Sequence, residues 1–141
     1  MKSEEIRMSN EERKMNEEMR VKREKKNFLK EKSFLFSIEM VNLYKNLIIN
    51  KEWVISKQLL RSGTAVGALI REAEFAQSTA DFISKLSIAL KEANEAQYWL
   101  ELLNRTQYLD NGSFHQYHQQ NDELISMLVA SIKTSKQKLN R

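Results

Sequence analysis

Not one proline interrupts the 141 residues of this chain, and glycine occurs only at Gly63, Gly67 and Gly112. Proline breaks helices and glycine weakens them, so a chain nearly free of both can run in long helices. The rest of the composition agrees: 41% hydrophobic and 30% charged residues, with many Lys, Glu, Leu and Ala. No period-2 run bounded by turn residues marks a strand. A length of 141 residues suits one domain.

Apolar residues recur at three and four in four segments, which predicts four amphipathic helices. Helix 1 is expected over about 28–50, with Leu35, Ile38, Val41 or Met40, Tyr44, Leu47 and Ile48 inward. "INKEW" breaks that pattern, and helix 2 follows over about 54–76. Ser78 or Thr79 offers an N-cap, with Asp81 in the first turn, for helix 3 over about 80–108. "LDNGS" reads as a turn, because Asn-Gly supplies positive φ, and helix 4 runs over about 114–138. Short connections between such helices make an up-down-up-down antiparallel bundle. The fold class is therefore all-α: a four-helix bundle over 28–141, preceded by a charged arm, 1–27, that is either disordered or a helical extension.

The sequence "LLRSGTAVGALIREAEFA" (59–76) stands out because Gly63 to Ile70 is apolar or small on every face. A helix apolar all round is buried all round, and one bundle leaves one face of each helix exposed. Gly63, Ala65, Val66, Gly67, Leu69 and Ile70 are therefore candidates for packing against both the bundle and a second copy of the chain. The plainer reading is tight packing inside a single bundle. The up-down topology also sets helix 2 against helix 3 about a turn near residue 78, which faces Arg61 to Glu95 as a structural ion pair, Gln58 to Tyr98 and Thr64 to Glu92.

The segments "KSFLFSIEMVNLYKNL", "SKQLLRSGTAVGALIREAEFAQSTADFISKLSIALKEANEAQYWLELL" and "LISMLVASIKTSKQK" resemble the bacterial four-helix-bundle proteins related to those encoded in 23S ribosomal RNA intervening sequences. The accessory variability determinant (Avd) of diversity-generating retroelements belongs to the same family. The resemblance covers about 25–138 and leaves the charged arm outside. It implies a homopentameric barrel and, for the Avd branch, a nucleic-acid-binding partner of a reverse transcriptase. By position the family pattern falls on Gln58, Arg61, Ser62, Gly63, Gly67 and Glu72, then on Asp81, Phe82, Glu92, Glu95 and Trp99. Where the family has Ser-Ile-Gly-Ala-Asn, this chain has Ala65-Val66-Gly67-Ala68-Leu69, which removes two polar groups.

The chemistry-bearing residues point away from catalysis. The chain has no cysteine and only two histidines, His115 and His118, beside the Asn-Gly turn. A di-metal bundle needs Glu-x-x-His on two helices, and Glu92-x-x-Glu95 with Glu72 does not supply it. No phosphate-cradling glycine loop is present. The expectation is a non-enzyme without cofactor or metal. Absence of cysteine fits a reducing cytoplasm, and no apolar run reaches the ~18–20 residues of a membrane span.

Net charge is only +4, but it is unevenly placed. One cluster holds Lys22, Arg23, Lys25, Lys26, Lys30 and Lys32; another holds Lys133, Lys136, Lys138 and Arg141. The topology brings both to one end of the bundle, where they form a candidate site for RNA or an RNA–DNA hybrid. Cations at a helix C-terminus also offset the macrodipole, which alone accounts for the second cluster. At the start of helix 1 the dipole disfavours them. No aromatic ladder interleaves the basic residues, so recognition would rest on shape and charge. The expected partners are other copies of the chain, nucleic acid and a reverse transcriptase, with a pure protein-interaction scaffold as the alternative.

Overall fold

The computed structural model describes residues 8–140. It is all helical among those residues: α1 (Asn10–Ile49), α2 (Ile55–Ala73), α3 (Thr79–Arg105) and α4 (Asn111–Leu139). Each helix packs on its two ring neighbours, and α1 and α4 touch least; among the described residues no diagonal pair brings its backbones together. The four-helix bundle expected from periodicity is the observed architecture.

The core is a seam from each helix: Phe36, Met40, Leu43 and Leu47 of α1; Leu59, Val66 and Ile70 of α2; Leu86, Ala93, Leu100 and Leu103 of α3; Leu124, Leu128 and Ile132 of α4. On α1 the inward face is the expected one at Met40 and Leu47 and departs from it elsewhere. Leu35, Ile38 and Val41 are exposed. Both faces of this helix are apolar at helical spacing, so periodicity does not separate Phe36 and Met40 from Leu35, Ile38 and Val41.

α1 also starts far earlier than residue 28. Ser9 caps it with a reciprocal box: its hydroxyl accepts from Glu12 N–H at 3.1 Å, while Glu12 accepts from Ser9 N–H at 3.2 Å. Ion pairs from Arg20 to Glu17 and Glu24, three and four residues away, support the exposed turns. Residues 10–27 are thus helical and continuous with α1.

The turns use chemistry the sequence only half revealed. Ser78 does cap α3, accepting from Asp81 N–H at 3.0 Å. The Asn-Gly pair is not a turn: Asp110 accepts from Ser113 N–H at 2.8 Å and places Asn111 and Gly112 inside the first turn of α4. Positive φ falls instead on Lys51 (65°) and Gln107 (70°), just past the ends of α1 and α3. α2 has no side-chain cap at Val54. Buried Glu52 replaces it, accepting from the N–H groups of Val54 (3.2 Å), Ile55 (2.9 Å) and Ser56. Burial alone would raise the Glu52 pKa, but these backbone donors outweigh it and hold the carboxyl below its ordinary value.

Two stability predictions follow from these contacts. Glu52→Gln should cost about 1–2 kcal/mol at neutral pH in urea denaturation. Because the folded-state pKa is lowered, the difference between wild type and variant should be full above the ordinary carboxyl value near 4.5 and vanish as pH falls through the folded value. Gly63→Ala gains about 1 kcal/mol of helix propensity, but its Cβ would lie 2.6 Å from Met40 Cγ. Overpacking of that kind costs about 1–3 kcal/mol, so the urea midpoint should fall; a raised midpoint would mean α1 and α2 lie farther apart.

Candidate nucleic-acid and self-association surfaces

The two glycines of α2 face α1. A Cβ on Gly67 would lie 3.2 Å from the Ser33 carbonyl oxygen, so the helix backbones approach closely there. Val66 and Ile70 enter the core, while Ala65 and Leu69 are half-buried. The segment is small because α1 lies against it within one chain. Its outward residues, Thr64 and Ala68, join the α1 face that the core leaves out. Phe34, Ile38 and Val41 follow one another at four and three along that face. Phe34 is 51% and Phe75 82% exposed, and with Ser37, Ala68 and Arg71 they line an open groove of about 440 Å³. The Arg71 guanidinium sits over the Phe34 ring, 5.4 Å from its centroid. This surface is the candidate for self-association.

Arg61 meets two carboxylates of α3 rather than one: Glu92 at 3.1 Å, and Glu95. The Glu95 hydrogen bond is the main reason its pKa lies above the ordinary arginine value. Among the described residues no group of three or more His, Asp or Glu could hold a metal, and no helix is long and apolar enough to cross a membrane.

The basic residues divide into two groups. Lys30 pairs with Glu74 of the α2–α3 connection at 3.2 Å, Lys32 with Glu123 of α4 at 2.7 Å, and Lys26 lies 5.2 Å from the Phe82 ring centroid. These three bind the chain to itself. Lys22, Arg23, Lys25, Lys133 and Lys136 have no partner within the described residues. Three short connections alternate the helix direction and set α4 antiparallel to α1, and the Lys32–Glu123 pair sets their register, so the end of α4 runs toward the segment around Lys22. Lys138 lies there too, in the last turn of α4 with Lys136; Arg141 is outside the described residues. The dipole argument for the first cluster is overturned. α1 begins at Asn10 with Glu11 and Glu12 in its first turn, so Lys22 and Arg23 sit several turns inside, where the dipole has faded.

The family model described as "23S rRNA-intervening sequence protein" matches residues 25–130. The chain belongs to that family. A solved structure from Bacteroides thetaiotaomicron VPI-5482, described as a protein with unknown function from the S23 ribosomal protein family, is 55% identical. The likeness covers 77% of this chain and 98% of that one, with a TM-score of 0.76. Among curated proteins no match was found. The family match begins at residue 25, so most of the projecting part of α1 lies outside it.

Sequence reasoning missed the Glu52 cap, the Ser9 box and the second carboxylate on Arg61. The box was present as Ser-x-x-Glu at 9–12; nothing local in the sequence marked Glu52. Arg61 is half exposed, so its ion pairs are screened by water. Arg61→Met should change unfolding free energy by less than about 1 kcal/mol; a loss of several times that would mean the pair is more buried than its exposure indicates.

Proposed function

We propose that this family member is a non-catalytic oligomer that binds RNA or an RNA–DNA hybrid through the cationic end of its bundle. It acts there as an accessory to a protein that works on the same nucleic acid. The observation that carries this reading is the set Lys22, Arg23, Lys25, Lys133 and Lys136, gathered at one end without an internal counter-charge. Unpaired cations of one sign repel one another, and a phosphate backbone relieves that repulsion while releasing its counterions. An oligomer repeats the patch, and repetition raises avidity without any new kind of contact.

The exposed apolar groove between α1 and α2 supports the oligomeric part. Phe34, Ile38, Val41, Ala68 and Phe75 are too many apolar side chains for one unpartnered surface. A ring of five is the order the family resemblance implies. Cytoplasmic location goes with the absence of cysteine. A reverse transcriptase as client comes from the Avd branch of the resemblance alone. The intervening-sequence branch fits the similar proteins at least as well, so the client is a protein that acts on a structured RNA. The second reading, a protein-interaction scaffold, draws on the internal ion pairs of Lys30 and Lys32, which remove two cations from the patch.

Fluorescence anisotropy with a structured RNA, titrated from low to physiological salt, tests the proposal. Binding should weaken steeply with salt. In the Lys22→Ala, Arg23→Ala, Lys25→Ala triple variant the slope of log affinity on log salt should shrink by about 2–3, close to 0.9 per lost phosphate contact. Equal slopes for the two proteins, or no binding by wild type at physiological salt, would hand the function to the scaffold reading.

A further inference from the structure

The heptad spacing of α1's inward face does not stop where the bundle stops. Its buried residues Leu29, Ser33, Phe36, Met40, Leu43 and Leu47 alternate steps of four and three. Continued toward the N-terminus, the same alternation selects Lys26, Lys22, Met19, Met15, Glu12 and Met8. A seam with this period lies on one side of the helix. Lys26 still touches the bundle, at Phe82 near the start of α3. From there back to Asn10 the helix projects by roughly 24 Å at 1.5 Å per residue. Along that projection the seam has no partner: Met15 is 55% and Met19 54% exposed.

We infer that the projecting part of α1 pairs antiparallel with the same segment of a second copy of this chain. Charge decides both the occupant and the direction. Residues 9–18 carry Glu11, Glu12, Glu17 and Glu18 against Arg13 and Lys14; residues 19–27 carry Arg20, Lys22, Arg23, Lys25 and Lys26 against Glu24. The projection is thus acidic at its tip and basic at its root, a pattern complementary to its own reverse. In a parallel pair each seam residue meets itself, which stacks Glu12 on Glu12, Lys22 on Lys22 and Lys26 on Lys26. In the antiparallel register centred between Met15 and Met19, Met15 packs on Met19 of the partner subunit. Glu12 then meets Lys22 of the partner subunit, and Glu11, beside the seam, meets the partner's Lys25. One like-charged contact remains at the two-fold axis, Glu18 on the partner's Glu18, against two copies each of the Glu12–Lys22 and Glu11–Lys25 contacts. Methionine suits such a seam because it packs without a demanding shape.

This contact joins two bundles end to end. It is separate from the groove between α1 and α2, and it does not rest on the nucleic-acid reading, although it draws on Lys22 and Lys25 as that reading does.

The chain has no cysteine, so cross-linking starts from a clean background. Full-length Met15→Cys and Met19→Cys proteins are prepared separately, mixed and mildly oxidised without nucleic acid. Both positions are exposed, so the bundle should fold unchanged. The mixture should give a disulfide-linked dimer at least several-fold more abundant than either protein alone. Equal cross-linking by Met15→Cys alone would mean a parallel pair and overturn the inference, as would no cross-linking in the mixture. Charge exchange gives an independent readout by sedimentation velocity. Glu11→Lys with Glu12→Lys should lose the end-to-end species, as should Lys22→Glu with Lys25→Glu, and all four changes together should restore it. Failure of the fourfold variant to restore association would likewise overturn the antiparallel register.

Discussion

α1 can lie against α2 as closely as it does only because Gly63 and Gly67 lack side chains. A Cβ at either position would press on Met40 or on the Ser33 carbonyl. The neighbouring buried serines suit the same close approach. Ser33 and Ser62 are fully buried, yet each hydroxyl donates to a carbonyl of its own helix, Lys30 O at 2.9 Å and Gln58 O at 3.0 Å. Neither leaves an unsatisfied donor in the interface. The contact fixes the rotation of α1. With Phe36, Met40 and Leu43 turned inward, Phe34, Ile38 and Val41 have to face away from the core. The outer apolar surface and the direction of the projecting helix both descend from this one approach.

How legible the molecule was in its sequence depended on whether one physical signal acted alone. α3 was clear because Leu86, Ala93, Leu100 and Leu103 form a single buried stripe behind the Ser78 cap. The partnership of Arg61 and Glu95 was accessible from topology, since a short turn between antiparallel helices sets which residues face. α1 was harder because two apolar stripes compete on one helix, and periodicity cannot say which one the core takes. Its start was obscured for a different reason. Residues 10–27 have too little apolar area to look folded, and their helicity is held by the Ser9 box and the Arg20 ion pairs. At 110–113 two uses of one motif competed, and the Asp110 cap made Asn111 and Gly112 the opening of a helix.

The candidate site was legible as a list of cations but not as a pattern of pairing. Lys30 and Lys32 look like their neighbours in sequence, yet carboxylates distant in the chain engage them. What remains unpaired is smaller and lies farther out on the projecting helix and at the end of α4. Family membership supplies the bundle; the projection before residue 25 is what this chain adds to the matched region. The buried Asn121 adds a polar layer between α3 and α4, donating to Ala93 O at 2.8 Å and Gln97 Oε1 at 3.0 Å. One buried amide of this kind fixes how two helices are aligned more than it stabilises them.

α1 has two apolar faces, one filled by its own bundle and the other covered in the proposed oligomer. Sedimentation equilibrium of wild type beside Ile38→Glu measures it most directly. The wild-type mass should be a multiple of the single chain, and the variant should have a lower mass with the same helical circular dichroism. A wild type that runs as a single chain, or a variant with unchanged mass, would contradict it.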